Sequence, residues 1–262
     1  MTVIATKRQQ LLAGLLLTWI LFCGPPARAG ILWYNGDLDN RDAFSNQTSS
    51  SSGGIDGRIY ENFIVPAGTT WTITSVFSND VLNPLFSPPN TTTASWEIRS
   101  GVSAGNGGTL LASGDGADVI TPTGRTSSVF APFPASEYTN QVNGLSVTLG
   151  AGTYWLSVAP DTDGLVNSYW NVSTTSGANA IGNPAGNDGN SFFSSTFTGD
   201  FFTPTASLEG PGNWDYSLGV IGTAQASTVP EPSGAALALG ASLILAGYAY
   251  RRRKPATLAS RA

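Results

Sequence analysis

Residue types able to do chemistry are scarce in this 262-residue chain, and the missing ones limit it first. There is no histidine, the one cysteine is Cys23, and lysine occurs only at Lys7 and Lys254. Ser-His-Asp hydrolysis, imidazole general-base catalysis and His-ligated zinc are therefore excluded. Thiolate and Schiff-base chemistry need a Cys or Lys in the body of the chain, which has neither. What survives is carboxylate chemistry, such as the paired acids of a glycosidase. Between residues 30 and 227 the glutamates are Glu61, Glu97, Glu137 and Glu209. Glu61 and Glu97 fall in strand-like segments and could point into a cleft, although an outward-facing Glu on such a strand is ordinarily solvated. The chain is accordingly read as non-catalytic.

Two binding chemistries remain. Hard oxygen donors gather in loops, and Asp161-Thr162-Asp163-Gly164 follows a strand-like run, which makes Asp161 and Asp163 the calcium candidates. Asp37-Leu38-Asp39-Asn40-Arg41-Asp42 and Asn187-Asp188-Gly189-Asn190 are weaker versions. None carries the closing bidentate Glu of an EF-hand loop, and Asp, Asn and Gly are also ordinary turn residues. No other cofactor is implied. The second chemistry is stacking of sugars on aromatic rings. Trp33, Trp71, Trp96, Trp155, Trp170 and Trp214 lie in the same region. Tyr154-Trp155 and Tyr169-Trp170 are neighbours on strands, so each pair sends one ring to each face, and an exposed Trp/Tyr platform would bind glycan. Charge narrows the partners further. Sixteen acidic residues face only Arg41, Arg58, Arg99 and Arg125 here, a net of −12. Such a surface repels nucleic acid and anionic membrane but accepts neutral glycans and divalent cations.

The elements that must position these residues are short strands. Residues 31–34 and 58–65 are bulky and β-prone. In 70–74, Trp71 and Ile73 alternate with threonines, and in 94–99, Trp96 and Ile98 alternate with Glu97 and Arg99, so one set faces in and the other out. Further strands are expected at 109–113, 145–149, 154–158, 168–172 and 214–221. Residues 46–54 and 114–133 read as loop, the latter with a short strand at 127–131. Gly150-Ala151-Gly152 predicts a hairpin between the strands around it. AGTTW (67–71) and AGTYW (151–155) look like one turn chemistry used twice. With no helical period in this region, the expected fold is all-β: a single jelly-roll-like β-sandwich over residues 30–226.

Both ends carry addresses. Lys7 and Arg8, the apolar run 11–23, and Ala27-Arg28-Ala29 make residues 1–29 a signal peptide, with Ala27 and Ala29 at the positions read by signal peptidase. Cleavage before Gly30 removes Cys23, so the exported part has no disulfide. Residues 227–233 form a Pro-rich linker, in which Pro230 and Pro232 force extended backbone. Residues 234–250 are uncharged and span about 26 Å as a helix, close to a bilayer core. Arg251, Arg252, Arg253 and Lys254 open a basic tail, 251–262, that marks the cytoplasmic side and places the domain outside.

Pro230-Glu231-Pro232, then one apolar run, then an arginine cluster resembles the PEP-CTERM sorting signal, over residues 229–254 only. The resemblance implies a Gram-negative-type bacterium and recognition by an exosortase, a membrane protease that cleaves near the motif. It also implies a link to exopolysaccharide or biofilm. The expected function is thus a non-catalytic surface or extracellular-matrix protein, held first in the inner membrane and moved outward after processing. The alternative is a carbohydrate-binding or adhesive module on the same anchor.

Overall fold

The computed structural model describes residues 29–49, 56–86, 89, 91–162, 170–186, 188–196 and 198–227. The sorting residues Pro230, Glu231 and Pro232, the apolar run 234–250 and the cluster Arg251, Arg252, Arg253 and Lys254 lie outside the described residues. So do Ala27 and Asp163, whereas Ala29 is described and exposed beside the first strand. The chain divides into two compact units, Met1–Gln225 and Ala226–Ala262, and the architecture below is that of the first. Among the described residues no helix is long and apolar enough to cross a membrane.

The fold is all-β, and among the described residues thirteen strands form one sheet. In chain order they are β1 (Gly30–Tyr34), β2 (Leu38–Ser45), β3 (Gly57–Val65), β4 (Thr69–Leu82), β5 (Thr93–Ser100), β6 (Thr109–Ser127) and β7 (Ala135–Leu149). β8 (Gly152–Pro160), β9 (Trp170–Thr175), β10 (Phe192–Ser195), β11 (Thr203–Pro204), β12 (Asp215–Tyr216) and β13 (Leu218–Ala226) follow, with a single helical turn, α1 (Thr205–Leu208), before β12. The sheet runs β1-β13-β4-β7-β6-β5-β8-β3-β10-β11, and β9 joins it on β4 and brings β2 and β12.

One apolar cluster is shared by strands far apart along this path. Trp33 of β1 packs on Phe63 of β3 at 5.6 Å, and Phe63 stacks on Trp71 of β4 at 6.0 Å with the planes 6° apart. Ile73, Ile98, Leu156, Val172, Leu218 and Val220 fill the same core and are fully buried. The sheet must therefore turn back on itself, so that its two halves bury the inward residues of the alternating strands. Trp71 and Ile73 face in and Thr70, Thr72 and Thr74 are half-buried, as the alternation predicts.

Three local readings are corrected. First, residues 150–151 are not a hairpin: β7 pairs with β4 and β6, and β8 with β3 and β5. The turn is an arch between the two halves, and so is 66–68 between β3 and β4. The two arches run side by side, with Val65 opposite Gly152 and Trp71 opposite Leu149. The similar AGTTW and AGTYW stretches thus make equivalent corners. Second, residues 114–127 are strand rather than loop, and 128–133 form the turn. β6 pairs with β5 up to Ala117 and with β7 from Asp118, so one strand serves both halves. A Cβ on Gly116 would lie 2.4 Å from Val142 Cγ1, so glycine permits the close approach where the partner changes. Third, residues 46–49 are not free loop: Asn46 and Gln47 are fully buried, and Gln47 bridges Gly57 while Thr48 bridges Asp161.

Candidate functional site

The four arginines of the described region come first, because each has a partner. Arg41 pairs with Asp39 at 2.6 Å, Arg58 with Asp56 at 3.8 Å and Arg99 with Glu97 at 2.6 Å. Arg125 spans Asp37 at 2.8 Å and Glu137 at 2.5 Å. Two of these pairs meet in a cleft.

Arg58 and Tyr60 are two apart on β3, and Glu97 and Arg99 two apart on β5, so each pair shares a face. β8 lies between the two strands. The cleft measures about 370 Å³, and its lining also includes Gly107 and Gly108 on one stretch and Ser194, Thr196, Phe201 and Phe202 on another. Glu97 is its hinge of polarity. Its Oε2 accepts from Arg99 Nε at 2.6 Å and from Tyr60 Oη at 3.0 Å. The Arg99 guanidinium lies 5.7 Å from the Tyr60 ring centroid and 5.2 Å from that of Phe202, and its Nη1 donates to the Gly107 carbonyl. Below it Tyr60, Val102, Trp155, Phe192 and Phe202 make a second apolar cluster. A smaller hollow of about 170 Å³ continues past Arg58 and Glu97 to Ser113 and Asp115.

Three features suit this cleft to a polar ligand. Arg58 Nη2 donates to Ser95, but Nη1 has no acceptor, and Asp56 Oδ1 has no donor. Phe201 presents its ring at the rim, 63% exposed. Two carboxylates and two guanidiniums balance, so the cleft is close to neutral within a strongly acidic domain. Burial, with the Glu97 charge behind it, raises the Tyr60 phenol and keeps it protonated as a donor. Burial works against the Arg99 charge, but the Glu97 hydrogen bond and charge outweigh it and raise the guanidinium. Burial likewise raises the Asp56 carboxyl, against the Arg58 charge.

The residues singled out in the sequence fare unevenly. The expected Trp platform is overturned: Trp33, Trp71, Trp96, Trp155 and Trp170 are all buried. Large rings fill the space between the sheet halves, and the half-buried Trp214 is covered by Arg41 at 4.8 Å. Tyr154 leans on Phe63 and donates to the Gly150 carbonyl. Asp161 bridges Thr48, and its amide bonds the Thr93 carbonyl. Among the described residues no three His, Cys, Asp or Glu side chains gather as a metal cage. Asp37 accepts from Tyr34, Arg125 and Asn179, and Asp39 from Arg41 and Thr174. Asp188, exposed, accepts from Asn62 and from the Asn190 amide.

The glutamates are spoken for in different ways. Glu137 is fully buried and binds Arg125, Ser173 and Thr123. Glu209 lies beside Asp42; burial first, then that neighbour, raises it to about 7. Glu61 is neither solvated nor in a cleft: it is fully buried, because it shares the inward face of β3 with Ile59, Phe63 and Val65. Glu97 does line a cleft, whereas Glu61 does not; what the sequence leaves out is how the cleft is assembled. Its signal was present in the Arg58-x-Tyr60 and Glu97-x-Arg99 spacings, but nothing local shows that these strands flank the same neighbour. No protein-family model and no curated protein matches the chain.

Proposed function

We propose that this chain is a non-catalytic, exported bacterial surface or extracellular-matrix protein sorted by an exosortase. The observation that carries the reading is the order of signals around an acidic, lysine-free domain: Ala27 and Ala29 before it, and Pro230-Glu231-Pro232, the apolar run and Arg251–Lys254 after it. In this reading residues 30–226 are a jelly-roll-like β-sandwich, formed by the sheet folding over its core. Signal peptidase frees its N-terminal side. Residues 234–250 hold it in the inner membrane until the exosortase acts, and it then reaches the surface or matrix. Mass spectrometry of the mature protein from hosts with and without the exosortase tests this. A C-terminus cut near residue 232, only where the enzyme is present, supports it. Retention of Arg251 in both hosts overturns it. Replacing Pro230-Glu231-Pro232 by alanines should block the cut.

A second reading, saccharide binding, is favoured by the cleft. An exposed Phe201 ring beside paired Arg and Glu forks offers stacking and hydrogen bonds together, the combination that polyhydroxyl ligands require. Calorimetric titration of the purified protein with oligosaccharides from its host's exopolysaccharide tests it. Heat that disappears in Phe201→Ala supports the assignment, and heat unchanged in that variant moves the site elsewhere.

A further inference from the structure

The deepest unexplained charge is not in the cleft. Glu61 of β3 is fully buried and Asp215 of β12 is 1% exposed. Glu61 Oε2 accepts from the Tyr216 amide at 2.8 Å and from Asn35 Nδ2 at 3.1 Å. Asp215 Oδ1 accepts from the Gly189 amide at 2.9 Å. Their other oxygens, Glu61 Oε1 and Asp215 Oδ2, have no hydrogen-bond donor, and neither does Asn35 Oδ1 on the amide that touches Glu61. Asn35 is itself only 1% exposed.

An ionised carboxylate buried without a counter-charge costs several kcal/mol or more, so a fold that keeps two near each other must neutralise them. No arginine of the described region pairs directly with either one: all four are bound to other acids, and the Arg41 charge acts on Asp215 only from a distance, as the smallest of its influences. No lysine lies between residues 30 and 227. Burial first and then the Asp215 charge push the Glu61 carboxyl well above its ordinary value, and burial with the Asp188 charge raises Asp215 to about 7. The surroundings are thus hostile to two bare anions: three donors serve Glu61 Oε2 and Asp215 Oδ1, while the remaining three oxygens are acceptors with nothing to accept. Asp188 stands at the surface, and its charge adds to the load on both carboxyls.

We propose that Glu61 Oε1, Asp215 Oδ2 and Asn35 Oδ1 bind one divalent cation of the calcium class. Calcium takes about six to eight oxygens from carboxylates, amide oxygens, backbone carbonyls and water, which fits two carboxylates and an amide better than a soft metal would. The ion ties β3 to β12 and to the residue after β1, three segments that are distant in sequence. This site is distinct from Asp161 and Asp163.

The test uses the full-length protein. The wild type should carry about one calcium per chain by elemental analysis after dialysis. EGTA should lower Tm by roughly 5–10 °C, and calcium should restore it. Terbium should show luminescence sensitised through the nearby rings, displaced by calcium. Asp215→Asn and Glu61→Gln should each weaken calcium binding roughly tenfold or more. Asp161→Asn with Asp163→Asn should leave it unchanged. Elemental analysis and terbium titration of the wild type decide the matter even if a variant fails to fold. A wild type with no calcium, no terbium signal and no Tm change overturns the proposal, and a Glu61→Gln variant that is then more stable identifies a shared proton as the neutralising partner. A calcium response that follows Asp161 and Asp163 instead also overturns it.

Discussion

Phe63 and Trp71 stack nearly parallel, 6.0 Å apart, across the arch that carries the chain from one half of the sheet to the other. Trp71 is 4% exposed and Phe63 fully buried, and Trp33 and Tyr154 extend the stack on the Phe63 side. The contact joins two strands that share no backbone ladder, so side-chain packing together with the arch fixes their spacing there. Truncating Trp71 to alanine should cost about 3–5 kcal/mol, the usual range for a buried aromatic. Chemical denaturation should show this as a lower midpoint with an unchanged slope.

Arg125 and Glu137 make the opposite kind of contact. Glu137 is fully buried, and Arg125 is its cationic partner at 2.5 Å. Arg125→Met would leave a buried carboxylate with only the Ser173 and Thr123 hydroxyls. The expected loss is about 3–5 kcal/mol. Glu137→Gln combined with Arg125→Met should recover much of it, since both charges are then gone. Thermal unfolding of the two variants and the pair gives the coupling directly.

Phe201 should behave as a surface residue in stability and as a contact in binding. At 63% exposed, its replacement by alanine should change stability by no more than about 0.5 kcal/mol. Arg99→Ala differs, because Arg99 also caps Tyr60 and Phe202 and holds Glu97. It should lower both stability and any saccharide affinity. Unfolding and calorimetry on the same samples separate the two effects.

Acid should stabilise this domain over part of the pH range. Burial raises Asp80 to about 7 despite its bonds from Ser78, Asn46 and Asn140. Burial also raises Asp118 to about 7, with the Asp80 charge adding to it against the Thr91 bond. Unfolded, both titrate near the ordinary 3.8. Between about pH 4 and pH 7 the folded state binds more protons than the unfolded state, so stability falls as pH rises across that window and levels off above it. Asp37 acts in the other sense. Burial opposes its charge, but the Tyr34 and Asn179 bonds and the Arg125 charge outweigh that and lower it, so its contribution disappears below about pH 4. Tm measured in EGTA from pH 3 to pH 9, so that no bound calcium contributes, should peak near pH 4–5. Asp118→Asn should flatten the fall and raise Tm at pH 8. A wild-type profile that rises from pH 5 to pH 8 contradicts the assignment.

Much of the strand content is legible in the residues, because alternation in 70–74 and 94–99 needs only one buried face. The signal stops where both faces are covered. β4 continues through Ser78, Asn79 and Asp80, which are polar yet buried. Their partners, Tyr34, Ser217, Thr139, Asn46 and Asn140, come from four separate stretches of chain that no local window contains. β6 hides for another reason. Its faces are both partly wet, and Gly114, Gly116, Pro122 and Gly124 imitate a loop. Turn chemistry at 66–68 and 150–152 tells that the chain reverses, not which strands it joins. The cleft is half legible for the same reason: the outward Glu97 and Arg99 are visible in the spacing, while Gly107, Gly108, Ser194, Thr196, Phe201 and Phe202 arrive from elsewhere.

β1 and β13, the first and last strands, are antiparallel partners, with Gly30 opposite Gly222. Closing that ladder requires nearly the whole domain to be present, and pairings of such sequence separation form slowly. A chain threaded outward N-terminus first would hold β1 without its partner until residue 222 had emerged. That ladder is thus among the last contacts the chain can complete. It also sets the first and last strands of the domain side by side, so a tether at either end would pull on the same edge of the sheet.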